Sequence, residues 1–280
     1  MTLPLIPRNP LGEYINIYLA RSKDPEILSR RVGSGGAVTS ILCYLLDKGI
    51  CDAAVAVRRT RGFEGTIVVA RTREEVIEAA GNKWSIVPFT SRLRRIIEEN
   101  NLRNVAVVGL PCQAQFLRHM RMFPMLETDF GERIKVIISL FCVGTFAHEV
   151  FLAYLRSTYN IRAEEIEDMR IEGDNLVVIL TGNRRTEIPV SKIASYLQAG
   201  CLICTDYTGV LADISAGTIQ SYPGYTALIT RTKLGDEIVR KAAQEGYIEV
   251  KEVDQKMVEE IRMKALDKIK RANIFATKLL

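Results

Sequence analysis

Short apolar runs of period two alternate with amphipathic stretches of period 3.6 for most of this chain. Strands are predicted at residues 14–20, 52–58 and 66–71, and again at 104–109 and 134–141. Residues 25–32 read as a short helix capped by Asp24, and the apolar stretch 37–47 as a longer helix opened by Gly33-Ser34-Gly35-Gly36 and closed at Gly49. Further helical periodicity covers 74–80 and 89–99, the latter with Phe89, Leu93, Ile96 and Ile97 on one side. In the middle the pattern repeats as strand, turn and helix: 104–109 leads into 111–122, and 134–141 into 146–159. Three shorter strands at 168–172, 176–181 and 185–188 read as antiparallel. A helix is expected over 191–199, strands at 212–216 and 225–230, a helix at 233–245, and one long basic helix at 255–276.

Strands alternating with helices imply an α/β fold (mixed α+β) around a central mixed sheet with parallel strand–helix units. The expected organisation is a small N-terminal lobe over residues 1–78, a core over 79–250 and a C-terminal basic helix over 251–280. The longest uncharged stretch, residues 32–46, is broken by three glycines and falls short of the roughly 18 apolar residues of a membrane-spanning helix. The first residues carry neither the basic start nor the apolar centre of a signal peptide, so a cytoplasmic location is expected. A net charge of +5 suits phosphate-bearing cofactors or an acidic partner and is too dispersed for a nucleic-acid footprint. Only two histidines are present, and neither an HExxH nor a G-x-S-x-G motif occurs.

Cysteine placement changes the picture most. Of six cysteines, Cys112 follows a proline just past the apolar run 105–108, and Cys142 ends the run 134–141. Cys201 and Cys204 form a C-x-x-C pair. In the reducing cytoplasm, grouped thiols point to metal or redox chemistry rather than disulfides. Two cysteines at strand ends and one close pair make four thiolates, the ligand count of an iron–sulfur cluster or a structural zinc. A thioredoxin-like pair is the alternative, but it should open a helix after a strand, whereas this pair follows a predicted helix. Spacing alone leaves zinc and iron–sulfur open. Cys43, inside an apolar helix, and Cys51, between Ile50 and Asp52, read as core thiols. The glycine loop before the helix at 37–47 can present N–H groups to a phosphate or be only a turn, and Gly81–Ser85 is equally a candidate anion-facing loop or a plain surface turn. The basic residues of the last helix, Lys256, Arg262, Lys264, Lys268, Lys270 and Arg271, read as a solvated face, with a docking surface for a partner subunit as the alternative.

Short motifs in a fixed order carry a more specific signal. They are Gly35-Gly36-Ala37-Val38-Thr39, Asn82-Lys83-Trp84-Ser85, Gly109-Leu110-Pro111-Cys112-Gln113, Leu140-Phe141-Cys142 and Gly200-Cys201-Leu202-Ile203-Cys204-Thr205-Asp206-Tyr207. Ala212–Gly217 and Gly224–Ala227 complete the set. From about Gly33 to Glu249 the chain resembles the family of coenzyme F420 hydrogenase/dehydrogenase beta subunits. That resemblance implies a subunit holding one FAD and one 4Fe–4S cluster, working beside hydrogenase, formate dehydrogenase or similar electron-transfer subunits. It assigns Cys112, Cys142, Cys201 and Cys204 to the cluster. Gly35, Gly36 and Thr39, together with Asn82, Lys83, Trp84 and Ser85, are assigned to FAD. The implied activity converts single electrons into a hydride exchanged with coenzyme F420, without a catalytic acid, base or nucleophile from the protein. Three departures leave the acceptor open between coenzyme F420 and NAD(P) or another carrier: Trp84 in place of tyrosine, Val143-Gly144-Thr145 in place of Met-Glu-Asn, and Gln220 in place of glycine. The competing reading is a non-catalytic binding module stabilised by zinc.

Overall fold

The computed structural model of the 280-residue chain describes residues 9–30, 34–60, 63–81, 84, 87–123 and 128–279. In chain order the elements begin with β1 (Asn16–Ser22), α1 (Pro25–Ser29), α2 (Ala37–Asp47), β2 (Ala53–Arg59), β3 (Gly65–Ala70), α3 (Arg73–Glu78) and α4 (Phe89–Glu99). Then come β4 (Val105–Gly109), α5 (Pro111–Met122), α6 (Thr128–Arg133), β5 (Ile134–Leu140), α7 (His148–Tyr159), β6 (Ile166–Glu172), β7 (Asn175–Leu180) and β8 (Arg184–Pro189). The chain closes with α8 (Val190–Ile193), α9 (Ala199–Leu202), β9 (Ile214–Thr218), β10 (Thr226–Thr230), α10 (Lys233–Gln244), β11 (Ile248–Lys251) and α11 (Gln255–Leu279).

Eight strands form one mixed sheet in the order β11-β1-β10-β9-β5-β4-β2-β3. Its centre is parallel, β2 with β4, β4 with β5 and β5 with β9. Antiparallel pairings of β3 on β2 and of β10, β1 and β11 beyond β9 finish the edges. Strand residues alternate between two buried faces, as a sheet covered on both sides requires. Val136 and Ile138 join Ile41, Leu45, Ile238 and Val239 under α2 and α10. Ile137 turns the other way, with Val105 and Val107, to meet Phe89, Leu93, Ile97 and Leu117 of α4 and α5. On that same face, Leu19, Ala227 and Ile229 receive Met257, Ile261 and Ala265 of α11. The antiparallel sheet β6-β7-β8 builds its own core with α7, from Phe151, Leu155, Met169, Leu176 and Val178.

Local chemistry sets several helix starts as expected. The Asp24 carboxylate accepts the Glu26 N–H at 2.8 Å, and Thr72 and Glu75 form a reciprocal capping box on α3. Gly49 holds φ 62°, which stops α2 without side-chain strain. Two sequence expectations need correction. The helix predicted over 191–199 is broken: α8 gives way to a 3-10 turn at Ala194–Tyr196 and an extended Leu197-Gln198, then α9 begins anew. The cause is tertiary. Leu197 pairs with Phe146, the Gln198 N–H donates to the Thr145 carbonyl at 2.9 Å, and the Gln198 side chain donates to the Phe146 carbonyl at 3.3 Å. These bonds outweigh the helical propensity of one short segment. The second correction concerns α11, whose basic residues are not all on a solvated face: Lys268 is only 4% exposed.

Candidate metal centre

Parallel pairing brings the first two thiols together. Gly109 at the end of β4 lies opposite Ser139 near the end of β5. Three residues past each, Cys112 and Cys142 therefore leave the same edge of the sheet, beyond the carboxyl ends of its parallel strands, where open α/β sheets form their ligand crevices. Cys112 opens α5, with Pro111 in the first helical position. Cys112 is exposed at the surface, yet the protein packed around it desolvates the thiol and, with the nearby Cys204 and Cys201 thiols, holds it above its ordinary pKa, while the N–H groups of Gln113 and Cys112 itself act in the opposite direction. Burial likewise pushes Cys142 up to about 11, against the pull of the Lys268 ammonium; Cys201 and Cys112 add to the rise, and the Gly144 N–H opposes it.

The C-x-x-C pair reaches this edge through the broken helix described above. The Cys201 N–H donates to the Gln198 carbonyl at 2.8 Å, and the Cys201 Sγ accepts the Thr145 N–H at 3.5 Å with the Thr145 hydroxyl equally close. Cys204 Sγ lies 3.8 Å from the Asp206 carbonyl, and the Cys142 N–H donates to the Tyr207 carbonyl at 2.9 Å. Gly144 makes the close approach of the two loops feasible. Its φ is 146°, and a Cβ there would stand 3.0 Å from Leu197 and 3.4 Å from the Cys201 Cβ. Past the pair, the Asp206 carboxylate accepts the Gly209 N–H at 2.7 Å and fixes the turn back into β9.

Cys112 feels the Cys204 and Cys201 thiols, and Cys142 feels those of Cys201 and Cys112; the four come from three separate chain segments. Among the described residues, no three His, Cys, Asp or Glu side chains stand close enough to hold a single metal ion. Two cations from α11 enter the same place. Lys268 Nζ donates to the carbonyls of Cys142 and Asp206, each at 2.7 Å. Arg271 Nη2 donates to Val143 at 2.7 Å and to Cys201 at 3.1 Å, and its buried Nε has no hydrogen-bond partner among the described residues.

The residues expected at the flavin divide between two places. Asn82, Lys83 and Ser85 lie outside the described residues, as does Gly33. Gly36, with φ 69°, is the N-cap of α2 and offers no side-chain cap, so the first N–H groups of a largely buried helix are left for another acceptor. Thr39 lies buried in the first turn. Gly35 is wedged in backbone, a Cβ there coming within 2.9 Å of Ala20, Gly224 and Tyr225 atoms. Beside it, Lys251 and Arg21 sit 4.4 Å and 5.7 Å from the Tyr225 ring centre. Trp84 stands elsewhere: its indole N–H donates to the Met169 carbonyl at 2.7 Å, and its ring stacks on Phe146 at 5.8 Å. Phe146 belongs to the loop that carries Cys142, Gly144 and Thr145, so Trp84 abuts the thiol site through one side chain.

Residues 17–94 match the N-terminal model, and residues 102–256 the C-terminal model, of the coenzyme F420 hydrogenase/dehydrogenase beta subunit. The chain belongs to this family. Relatives include the coenzyme F420 hydrogenase subunit beta of Methanosarcina barkeri, 33% identical over 88% of this chain and 84% of the relative. The protein of that name from Methanothermobacter thermautotrophicus is 31% identical over 88% and 87%. A chain in the solved F420-reducing [NiFe] hydrogenase complex of Methanosarcina barkeri superposes with a TM-score of 0.90 at 28% identity, covering 98% of this chain and 95% of that one. The mixed α/β architecture is therefore that of an F420 hydrogenase/dehydrogenase beta subunit. Among the described residues, no helix is long and apolar enough to cross a membrane.

Sequence reasoning singled out the four cysteines carried by these loops. It missed Thr145, Lys268 and Arg271. A signal for Lys268 was present: the buried positions Met257, Ile261, Ala265 and Ala272 follow helical spacing, and Lys268 falls in that stripe.

Proposed function

We propose that this chain is the flavin and iron–sulfur subunit of a hydrogenase or dehydrogenase complex, exchanging electrons with coenzyme F420. In this reading Cys112, Cys142, Cys201 and Cys204 hold a 4Fe–4S cluster. The first turn of α2 and the loop from Asn82 to Ser85 hold FAD. When bound, the pair supplies one-electron transfer at the cluster and hydride transfer at the flavin; the protein supplies alignment, exclusion of water and control of potential.

The observation that carries this reading is that the loops carrying Cys142 and Cys201 are joined beneath two cations, one buried and one half-buried, that have no ion pair among the described residues, with the Cys112 thiol near enough to feel Cys201 and Cys204. Buried charge is costly unless balanced, and four thiolates around a cluster are a net negative group that balances it. The partnerless Arg271 Nε points to the same requirement. Around this group the chain's own residues act as a mould. Gly144 lets the Cys142 loop close on Cys201, Thr145 donates toward the Cys201 sulfur, and the N–H groups of α5 favour the thiolate of Cys112. The uncapped start of α2, with Arg21 and Lys251 nearby, suits the phosphates of a dinucleotide. Relatives named as coenzyme F420 hydrogenase beta subunits, and one named as part of the F420H2 dehydrogenase of Methanosarcina mazei, support F420 as the two-electron carrier.

The deciding experiment is anaerobic purification followed by iron, sulfide, zinc and flavin analysis, then a screen of F420, NAD and NADP as acceptors with a reduced artificial donor. About four irons and one FAD per chain, with F420 reduced fastest, is the expected result. One zinc per chain in a colourless, flavin-free protein would overturn it in favour of a binding module. Activity that survives iron removal yet disappears in Cys201→Ser would point to thiol chemistry instead.

A further inference from the structure

Lys268 and Arg271 lie beyond residue 256, where the match to the family's C-terminal model ends. They sit three residues apart on α11, on adjacent positions of one helical face. Lys268 is 4% exposed, and its ammonium is held between two carbonyls, those of Cys142 and Asp206. The Arg271 guanidinium spans a second pair, Val143 and Cys201. Each cation therefore ties the loop after β5 to the segment carrying the C-x-x-C pair. The anchorage is firm, since the same helix buries Met257, Ile261, Ala265 and Ile269.

Carbonyl oxygens solvate a buried cation only in part, and neither head group has an ion pair among the described residues. The Lys268 ammonium acts on Cys142, and the Arg271 guanidinium on Cys201, Cys204 and Cys142, while both hold the carbonyls of the loops that carry them. Fixed positive charge next to a redox centre favours whichever state carries more negative charge, and it does so strongly where water is excluded.

We propose that Lys268 and Arg271 form a cationic clasp on the cysteine loops that raises the reduction potential of the centre held by Cys112, Cys142, Cys201 and Cys204. The proposal rests on the cluster reading above. It assigns the pair a positioning and tuning role, with no contact to substrate.

The test is a potentiometric titration of the anaerobic protein, read by the electron paramagnetic resonance of the reduced cluster, in the natural sequence and in Lys268→Gln, Arg271→Gln, Lys268→Arg and Arg271→Lys. Each neutral variant is expected to keep its iron and to lose about tenfold in the equilibrium constant for reduction, a fall of about 59 mV for one electron. The charge-keeping variants are expected to restore most of that loss. A full iron complement with an unmoved midpoint in both neutral variants overturns the clasp and leaves the cluster reading intact. Absence of iron from the natural sequence overturns both. Should Lys268→Gln alone lose its cluster, Arg271→Gln carries the same comparison. Loss from both neutral variants with retention in Lys268→Arg and Arg271→Lys overturns the tuning role, because charge at these positions is then needed to assemble the centre and not to set its potential. Loss from all four overturns it, because the site then depends on shape alone.

Discussion

Six cysteines occupy two regions of this molecule, and the contrast between them shows what distinguishes a core thiol from one proposed as a ligand. Cys43 and Cys51 lie under the sheet among Ile41, Leu45 and Val76, where burial pushes both up to about 12. The other four sit at the open edge beyond β4 and β5. Desolvation raises Cys142 and Cys112 there too, although Cys112 is exposed and Cys142 half-buried, so the direction of the shift does not separate the regions. The difference lies in the surroundings: helix N–H groups at Cys112, the Thr145 donors at Cys201, two cations at the loop carbonyls, and other thiols. Such an environment favours thiolate once a metal replaces the proton.

The largest effect expected from this contrast is on metal content. Cys112→Ser or Cys204→Ser removes one ligand of four and is expected to lower iron to well under half of the natural complement, with a depressed melting temperature, because metal binding is coupled to folding. Iron analysis and calorimetry on the same anaerobic samples check it. Undiminished iron in either variant would mean that the ligand set is misassigned.

Alkaline pH should sharpen the comparison from the other side. The thiols of Cys43 and Cys51 ordinarily titrate near 9 and are raised to about 12 in the fold. A raised folded value means the native state holds its protons longer than the unfolded chain, so the stabilisation is complete below pH 9 and is lost as pH climbs toward 12. The loss is up to about 1.4 kcal/mol per thiol for each pH unit in that window. Urea titrations at pH 8 and pH 10.5 should show a stability decrease that shrinks in the Cys43→Ala, Cys51→Ala double variant. An equal decrease in both proteins would assign the effect to other groups.

At neutral pH, Cys43→Ala is expected to cost only about 1–2 kcal/mol as a small core truncation, with iron content unchanged. Iron loss matching that of Cys112→Ser would erase the distinction between the two regions.

Much of this was legible in the sequence because it depends on local pattern. The bounds of α2, α4 and α5 follow from apolar periodicity and from Gly36, Pro88 and Pro111 at their starts. That Cys112 and Cys142 sit at strand ends was equally readable, since β4 and β5 are nearly unbroken runs of buried residues. What stayed hidden depends on partners distant in the chain. The break between α8 and α9 exists because Thr145 and Phe146, some fifty residues earlier, take up the hydrogen bonds of Gln198. The short edge strand β11 carries little pattern of its own and is fixed by β1, more than two hundred residues away. Lys268 looked like solvated charge because its carbonyl partners, on Cys142 and Asp206, are supplied only by the fold.

The smallest expected effect discriminates most finely within the ligand region. Thr145 places both its N–H and its hydroxyl 3.5 Å from Cys201 Sγ. Hydrogen bonds to cluster sulfurs raise a reduction potential by stabilising the more negative state. Thr145→Val keeps the N–H and the side-chain volume and removes only the hydroxyl, so it should lower the midpoint by less than Lys268→Gln while leaving iron intact. The hydroxyl is a neutral donor to a large, polarisable sulfur, which makes its bond weaker than the effect of a full charge buried beside the loops. A larger shift in Thr145→Val than in Lys268→Gln would reverse that order, and would mean that local donors rather than the α11 cations govern the centre.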